Sequence, residues 1–262
     1  MIKPVVHTSF FTLLFALVFG LAQQNSVEAS EKFTDANSLM KHIDQMWRSN
    51  SSHAIMSMHV KTKRYSRSLT LETWSKGKEK SLIIIKKPKK DRGIATLKVN
   101  NNIWNYLPKI NRVSKVPASM MGGSWMGSHF SNDDLVKENT FEDDYTSTIS
   151  FEGTKNNQQV VEVTSIPTKN ATVVWGKVVT RVEVENFTPI STLYYDEHDV
   201  LVREMRFDQV EKHGDRFVPM QMSLRPMNDV SKKDESTIVQ YHSISFNPPI
   251  KENLFSIKRL RR

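Results

Sequence analysis

The stretch Ala54-Ile55-Met56-Ser57-Met58-His59-Val60-Lys61 sets Ala54, Met56, Met58 and Val60 against Ile55, Ser57, His59 and Lys61. A period of two is that of a β-strand with one face turned to a core. Just before it, Leu39, Ile43, Met46 and Trp47 fall at i, i+4, i+7 and i+8, the spacing of one amphipathic helix. Thr34 or Asp35 can cap that helix and Asn50-Ser51-Ser52 ends it. Beyond the strand, alternation returns over 65–74 and short β-branched or apolar runs cover 81–86, 94–99 and 103–107. The last two make a hairpin across Asn100-Asn101-Asn102.

An irregular stretch interrupts this pattern: Val116-Pro117-Ala118-Ser119-Met120-Met121-Gly122-Gly123-Ser124-Trp125-Met126-Gly127-Ser128-His129-Phe130. After it, Ser131 can cap a short helix with Asp133 and Asp134 in its first turn. Strands resume over 145–151, 160–166, 173–185, 190–196, 201–210, 217–224 and 237–246. No internal repeat and no proline- or serine-rich linker divides the chain. One large antiparallel sheet therefore fits better than βαβ units, giving a mainly β (α+β) fold. A sheet of more than about ten strands must curl or close. The helix and the irregular insert are then available to cover an apolar concave face.

The N-terminus reads differently. Lys3 precedes the apolar run Phe10 to Leu21 (FFTLLFALVFGL), and Val27-Glu28-Ala29 places small residues at −3 and −1 of a cleavage site. This is the pattern of a secretory signal peptide over 1–29, leaving one domain over 30–262. The run is short for a bilayer span, and an uncleaved anchor is the alternative. Nothing after Leu21 approaches a span, so the processed chain is expected to be soluble in a periplasm-like compartment. The chain has no cysteine, which excludes a lipobox anchor, disulfides and thiol chemistry. Its net charge of +9 favours anionic headgroups or acidic proteins as partners. Nucleic acid is disfavoured: no RNP-like aromatic pair, zinc-finger spacing or basic amphipathic helix is present.

Residue-level support for catalysis is missing. There is no G-x-S-x-G elbow and no S-x-x-K. His129 with Asp133 and Asp134 matches no established metal loop, so no metal and no cofactor is expected. Glu142-Asp143-Asp144 reads as a solvated acidic turn. The segment Lys86-Lys87-Pro88-Lys89-Lys90-Asp91-Arg92-Gly93 is a basic turn, either simply solvated or attracted to an anionic surface.

The apolar groups say more. Trp104, Tyr106, Leu107, Met120, Met121, Trp125, Met126 and Phe130 crowd a short stretch, half of them on a glycine-punctuated segment. Methionine is unbranched and polarizable and adapts to ligands of variable shape. A hinged Met/Trp/Gly flap over a pocket that includes Met46, Trp47, Met56 and Met58 would suit acyl chains; a plug that fills the core is the plainer alternative. Lys109, Arg112 and Lys115 could meet a phosphate headgroup or a partner, or be solvated cations.

Asn102-Ile103-Trp104-Asn105-Tyr106-Leu107-Pro108, Lys109-Ile110-Asn111-Arg112-Val113 and Trp125-Met126-Gly127-Ser128-His129-Phe130-Ser131-Asn132-Asp133-Asp134-Leu135 resemble the outer-membrane lipoprotein-sorting (LolA-like) family. They are most similar to the branch found beside RND/MMPL-type exporters. Val174-Trp175-Gly176-Lys177, Tyr194-Tyr195-Asp196-Glu197, Leu254-Phe255-Ser256 and Leu260-Arg261-Arg262 are similar too, so the likeness runs from Phe33 to Arg262. The chain departs from the family pattern at Trp125, His129 and Asn132. The resemblance implies an open half-barrel with a helical lid and an apolar cavity. It also implies non-catalytic carriage of lipid or acylated lipoprotein across the periplasm, with an RND/MMPL-type inner-membrane transporter as partner and transient contact with a membrane surface. A lipid- or lipoprotein-sensing regulatory module and an exporter adaptor that binds no lipid remain alternatives on the same fold.

Overall fold

The computed structural model describes residues 33, 35–47, 49–137, 144–171 and 173–261; the expected signal peptide over 1–29 lies outside the described residues. Asp35–Arg262 forms one compact unit that carries every element among the described residues. Helix α1 (Ala36–Gln45) opens it, capped by Asp35, whose carboxylate accepts from the Ser38 N–H at 2.8 Å. As the spacing predicts, Leu39, Ile43 and Met46 are buried. Trp47 stacks obliquely on Phe207 and donates its indole N–H to the Pro219 carbonyl at 3.0 Å.

The rest is a single antiparallel sheet of thirteen strands. A first meander comprises β1 (Ser51–Lys61), β2 (Ser66–Lys76), β3 (Lys80–Lys87), β4 (Ala95–Val99), β5 (Asn102–Leu107) and β6 (Arg112–Lys115). A second comprises β7 (Tyr145–Lys155), β8 (Gln158–Pro167), β9 (Lys177–Glu183), β10 (Pro189–Tyr195), β11 (Leu201–His213), β12 (Arg216–Pro226) and β13 (Ser236–Phe246). The seam between them is β1 against β13, so the spatial order is β6-β5-β4-β3-β2-β1-β13-β12-β11-β10-β9-β8-β7. The outermost strands, β6 and β7, come from the middle of the sequence, and the insert 116–144 joins them. Among the described residues no helix is long and apolar enough to cross a membrane.

The period of two decides which side chains meet. Met58, Val60, Leu69, Leu71, Ile85, Met205, Leu224 and Val239 form the core of the inner face, the one the insert covers. On β2, Trp74 lies three residues from Leu71 and so on the other face. Register carries that outer face across the sheet: Trp74 opposes Leu82, Leu82 opposes Leu97, and Leu97 opposes Trp104. The C-terminal segment covers these residues, packing Phe255 and Leu260 of helix α3 (Ile257–Leu260) and the turn before it on Leu82, Ala95 and Leu97. Expected strand 173–185 is shorter than its pattern, running from Lys177 to Glu183, because residues 173–176 lie outside any strand. Gly176 is pressed on the β10–β11 turn so closely that an added Cβ would lie 2.5 Å from the Asp196 carbonyl oxygen.

Candidate functional site

The insert is a fastened loop. Polar side chains placed between its Met and Gly residues tie it to itself. Trp125 N–H donates to the Phe130 carbonyl at 2.7 Å, and the Ser128 hydroxyl donates to the Trp125 carbonyl at 2.7 Å. Asn132 donates its side-chain amide to the carbonyls of Met120 and Gly123, each at 3.1 Å. Met126 and Gly127 are both left-handed (φ 53° and 71°), a conformation that costs a non-glycine residue about 1–2 kcal/mol, and an added Cβ on Gly123 would lie 3.1 Å from the Met120 carbonyl oxygen. This compact, self-bonded form is that of an Ω-loop.

Further contacts fix the loop to the sheet and to the turn before β13. The Trp125 indole N–H donates to the Thr96 hydroxyl at 3.1 Å, and Thr96 donates in turn to Asn105. Tyr65 donates to the Gly127 carbonyl, and Arg67 to that of Met126. His129 lies 2.8 Å from Thr237 through Nδ1 and 3.3 Å from Glu235 through Nε2. The strongest tie is Asp134, first residue of helix α2 (Asp134–Lys137), which takes a two-pronged bond from Arg203 of β11 at 2.7 and 2.9 Å. The predicted cap is present too: Asp134 N–H donates to the Ser131 hydroxyl while Ser131 N–H donates to the Asp134 carboxylate.

The Arg203 guanidinium lies 4.4 Å from the Trp175 ring centre and 4.3 Å from that of Tyr194. Aromatic faces attract cations, more strongly when water is excluded, and both members of the pair are largely buried. Burial opposes ionisation of Asp134, but the hydrogen bonds and charge of Arg203, with those of Ser131, outweigh it and hold the carboxyl below its usual range. Sequence reading missed Arg203. Its signal is an arginine in phase with Met205 and Phe207 on a strand whose apolar face has period two.

The structure brings only some of the predicted residues together. Trp125 and Phe130 are buried against Met58, with Met56 and Met126 packed around them. Met205 and Met222 complete the group, so five of the chain's twelve methionines meet there. Met46 is buried at the C-cap of α1 and Trp47 lies over Phe207, itself packed against the cluster. Met121 is half-buried, whereas Met120 is 59% exposed. Trp104 and Tyr106 belong to the other face, under the C-terminal segment, and Leu107 is exposed. Lys109 and Arg112 sit exposed on the β5–β6 turn, while Lys115 lies over the Trp104 ring. On that outer face a groove of about 620 Å³ runs between Trp74 and the segment from Pro249 to Arg259. No group of His, Cys, Asp or Glu among the described residues has the geometry to hold a metal ion.

An open antiparallel sheet with a helix at its start and a loop insert over an apolar inner face is the fold this chain shares with several solved structures. The structure superposes on a LolA superfamily protein from Nitrosomonas europaea with a TM-score of 0.69 at 17% identity, over 86% of this chain and 99% of the other. A candidate outer membrane lipoprotein-sorting protein domain from Vibrio parahaemolyticus gives 0.72 at 22% identity, over 86% and 98%. A DUF1329 family protein from Desulfovibrio piger gives 0.76 at 20% identity, over 86% and 97%. By sequence, residues 77–262 match a family described as "Uncharacterized protein", and the chain belongs to that family. No curated protein matches the chain.

Proposed function

We propose that this protein carries lipid, or the acyl chains of a lipoprotein, outside the cytoplasm and does no chemistry on its cargo. The observation that carries this reading is the methionine-rich cluster lying under a loop that is bonded mainly to itself. Such a loop can leave the sheet as a unit. An acyl chain of about sixteen carbons offers roughly 12 kcal/mol on burial, at about 0.8 kcal/mol per methylene. Displacing Trp125 and Phe130 from the cluster costs about 5 kcal/mol, and parting Asp134 from Arg203 about 3 more. The hydrogen bonds of the loop to Thr96, Tyr65, Arg67 and Thr237 cost about 1 kcal/mol each, so burial of the chain roughly offsets displacement of the loop, which is the regime of a cargo that can be handed on.

The fold shared with the Vibrio and Nitrosomonas proteins supports the same reading. The apolar run at 10–21 and the lack of cysteine support a periplasmic location. An RND/MMPL-type inner-membrane transporter is the partner to which the sequence resemblance points. One observation favours a second reading: Trp125 and Phe130 already fill the cluster, as in an adaptor that binds no lipid.

A probe experiment separates the two. Full-length protein is titrated with a fluorescent palmitoyl phospholipid and its organic extract is analysed by mass spectrometry. A carrier yields co-extracted acyl species and saturable probe binding that Met126→Asp weakens. Absence of both, in a protein whose circular dichroism is that of a folded β-sheet, would refute carriage and leave the adaptor.

A further inference from the structure

Topology collects the charge of the first meander at one end of the sheet. The turns β1–β2 (62–65), β3–β4 (88–94) and β5–β6 (108–111) all lie at the end where β1 finishes, because consecutive strands are antiparallel. Neighbouring strands are about 4.8 Å apart, so the three turns are neighbours; an added Cβ on Gly93 would lie 3.4 Å from Pro108. The first turn exposes Lys63, Arg64 and Tyr65, and the second exposes Lys89, Lys90 and Arg92 next to Lys87. The third exposes Lys109 and Ile110, with Leu107 and Arg112 at its margins.

Few acids stand within these three turns, although the β12–β13 turn beside the first holds Asp229, Asp234 and Glu235 along with Lys232 and Lys233, and Glu235 accepts from the Lys63 N–H at 3.0 Å. Asp91 is the one acid in these three turns and it is paired with Arg67 at 3.2 Å. No acidic partner is found among the described residues for Arg64, Lys87, Lys89, Lys90, Lys109 or Arg112. Ile110 is 64% exposed and Leu107 39%, projecting among these cations. By contrast, the turns at the other end of the same strands, 77–79 and 100–101, hold one lysine, one glutamate and two asparagines beside a glycine.

We propose that this end of the first meander is a docking surface for an anionic phospholipid bilayer. Lysines and arginines meet the headgroup phosphates while Leu107, Ile110 and Tyr65 enter the interface. Amphipathic surfaces of this composition bind by apolar burial together with attraction to anionic lipid. A folded acidic protein would need complementary carboxylates opposite three separate turns, and would have no use for a protruding isoleucine on the outermost of them. The proposal is independent of whether the inner face takes cargo.

The test is co-sedimentation of the full-length chain with phosphatidylcholine vesicles, with and without phosphatidylglycerol, at low and high salt. Comparing the two vesicle types removes any common contribution of the apolar run at 10–21. Expected is a preference for phosphatidylglycerol that salt suppresses. Each cation contributes about fivefold, so Lys89→Ala with Lys90→Ala reduces that preference about 25-fold. Ile110→Ser weakens binding to the anionic vesicles without changing the dependence on salt. Lys251→Ala with Lys258→Ala, which removes equal charge from the exposed C-terminal segment, leaves binding unchanged. Equal binding to both vesicles, or a loss as large from the Lys251/Lys258 variant, overturns the proposal. So does capture by immobilised poly-glutamate without partition onto anionic vesicles, which assigns the surface to an acidic protein. Phospholipid-probe binding by a variant that no longer sediments shows the inner-face reading standing without this one.

Discussion

Asp134→Asn tests the fastening of the insert with the least change in shape. Asparagine keeps an oxygen for the Ser131 N–H and can still accept one bond from Arg203, but it removes the charge. Truncating one partner of a buried ion pair costs about 3–5 kcal/mol, because the other charge is left uncompensated. The remaining bond and the stacking of Arg203 on Trp175 and Tyr194 put the expected cost at the lower end, about 3 kcal/mol. If the insert and sheet unfold together, a protein of this size loses about 2–4 °C per kcal/mol, or about 6–12 °C in all. If the insert opens first, the Tm moves little and the loss appears locally. Amides of Trp125, Asn132 and Asp133, which bond within the loop, then exchange about a hundredfold faster. Calorimetry and amide hydrogen exchange on one sample distinguish these outcomes, and the second is the one a carrier requires. An unchanged Tm together with unchanged exchange at all three amides would refute the account of Arg203 and Asp134 as a latch. Replacing both partners, Asp134→Leu with Arg203→Met, should restore most of the loss, since no uncompensated charge remains.

Other expectations follow from the same contacts. Trp125→Ala removes the plug of the inner cluster and its bond to Thr96, lowering the urea midpoint by the equivalent of about 3–5 kcal/mol. Gly127→Ala meets both a left-handed backbone and the Tyr65 hydroxyl oxygen at 3.0 Å; it should destabilise by about 1–2 kcal/mol, with hydrogen exchange rising in the insert and not at the β1–β13 seam. In Gly176→Ala the new methyl collides with the backbone of 196–197, so soluble yield and urea midpoint should both fall. The carboxyls of Asp134, Glu72 and Glu162 are all held below their usual range in the folded protein. Burial opposes this at each, and it is overcome by Arg203 for Asp134, by Lys86 and His53 for Glu72, and by Lys155 and Arg181 for Glu162. A depressed folded pKa adds stability above the unfolded pKa and loses it as pH falls through the folded value. Denaturation midpoints should thus hold from neutrality to the ordinary carboxylate range and drop below it, less steeply in Asp134→Asn.

The strands were legible because burial on one face writes itself as alternation, and β1 shows it at Ala54, Met58 and Val60, all buried as the pattern requires. The short strand β6 was harder, since Arg112–Lys115 has two exposed cations and no buried residue. Which face each apolar group joins was the larger difficulty. Trp104 and Trp125 belong to one crowded stretch of sequence, yet register sends the first to the outer face and the loop lays the second on the inner. A one-residue change of phase decides this, and composition is blind to phase. The fastening of the insert was hidden for a related reason. Ser124, Ser128 and Asn132 look like ordinary loop polarity until their partners, the loop's own carbonyls, are seen in space.

The pairing of β1 with β13 has a consequence for biogenesis. The first and last strands of the sheet in sequence order form its middle, so the central seam cannot close until β13 is available. Until then both meanders keep an open interior edge, a state that is slow to resolve because contacts between distant parts of the chain must wait for loop closure. The same order of strands predicts that removing residues 236–262 exposes the seam itself, leaving two sticky half-sheets for aggregation or for a chaperone in place of a slightly shortened protein.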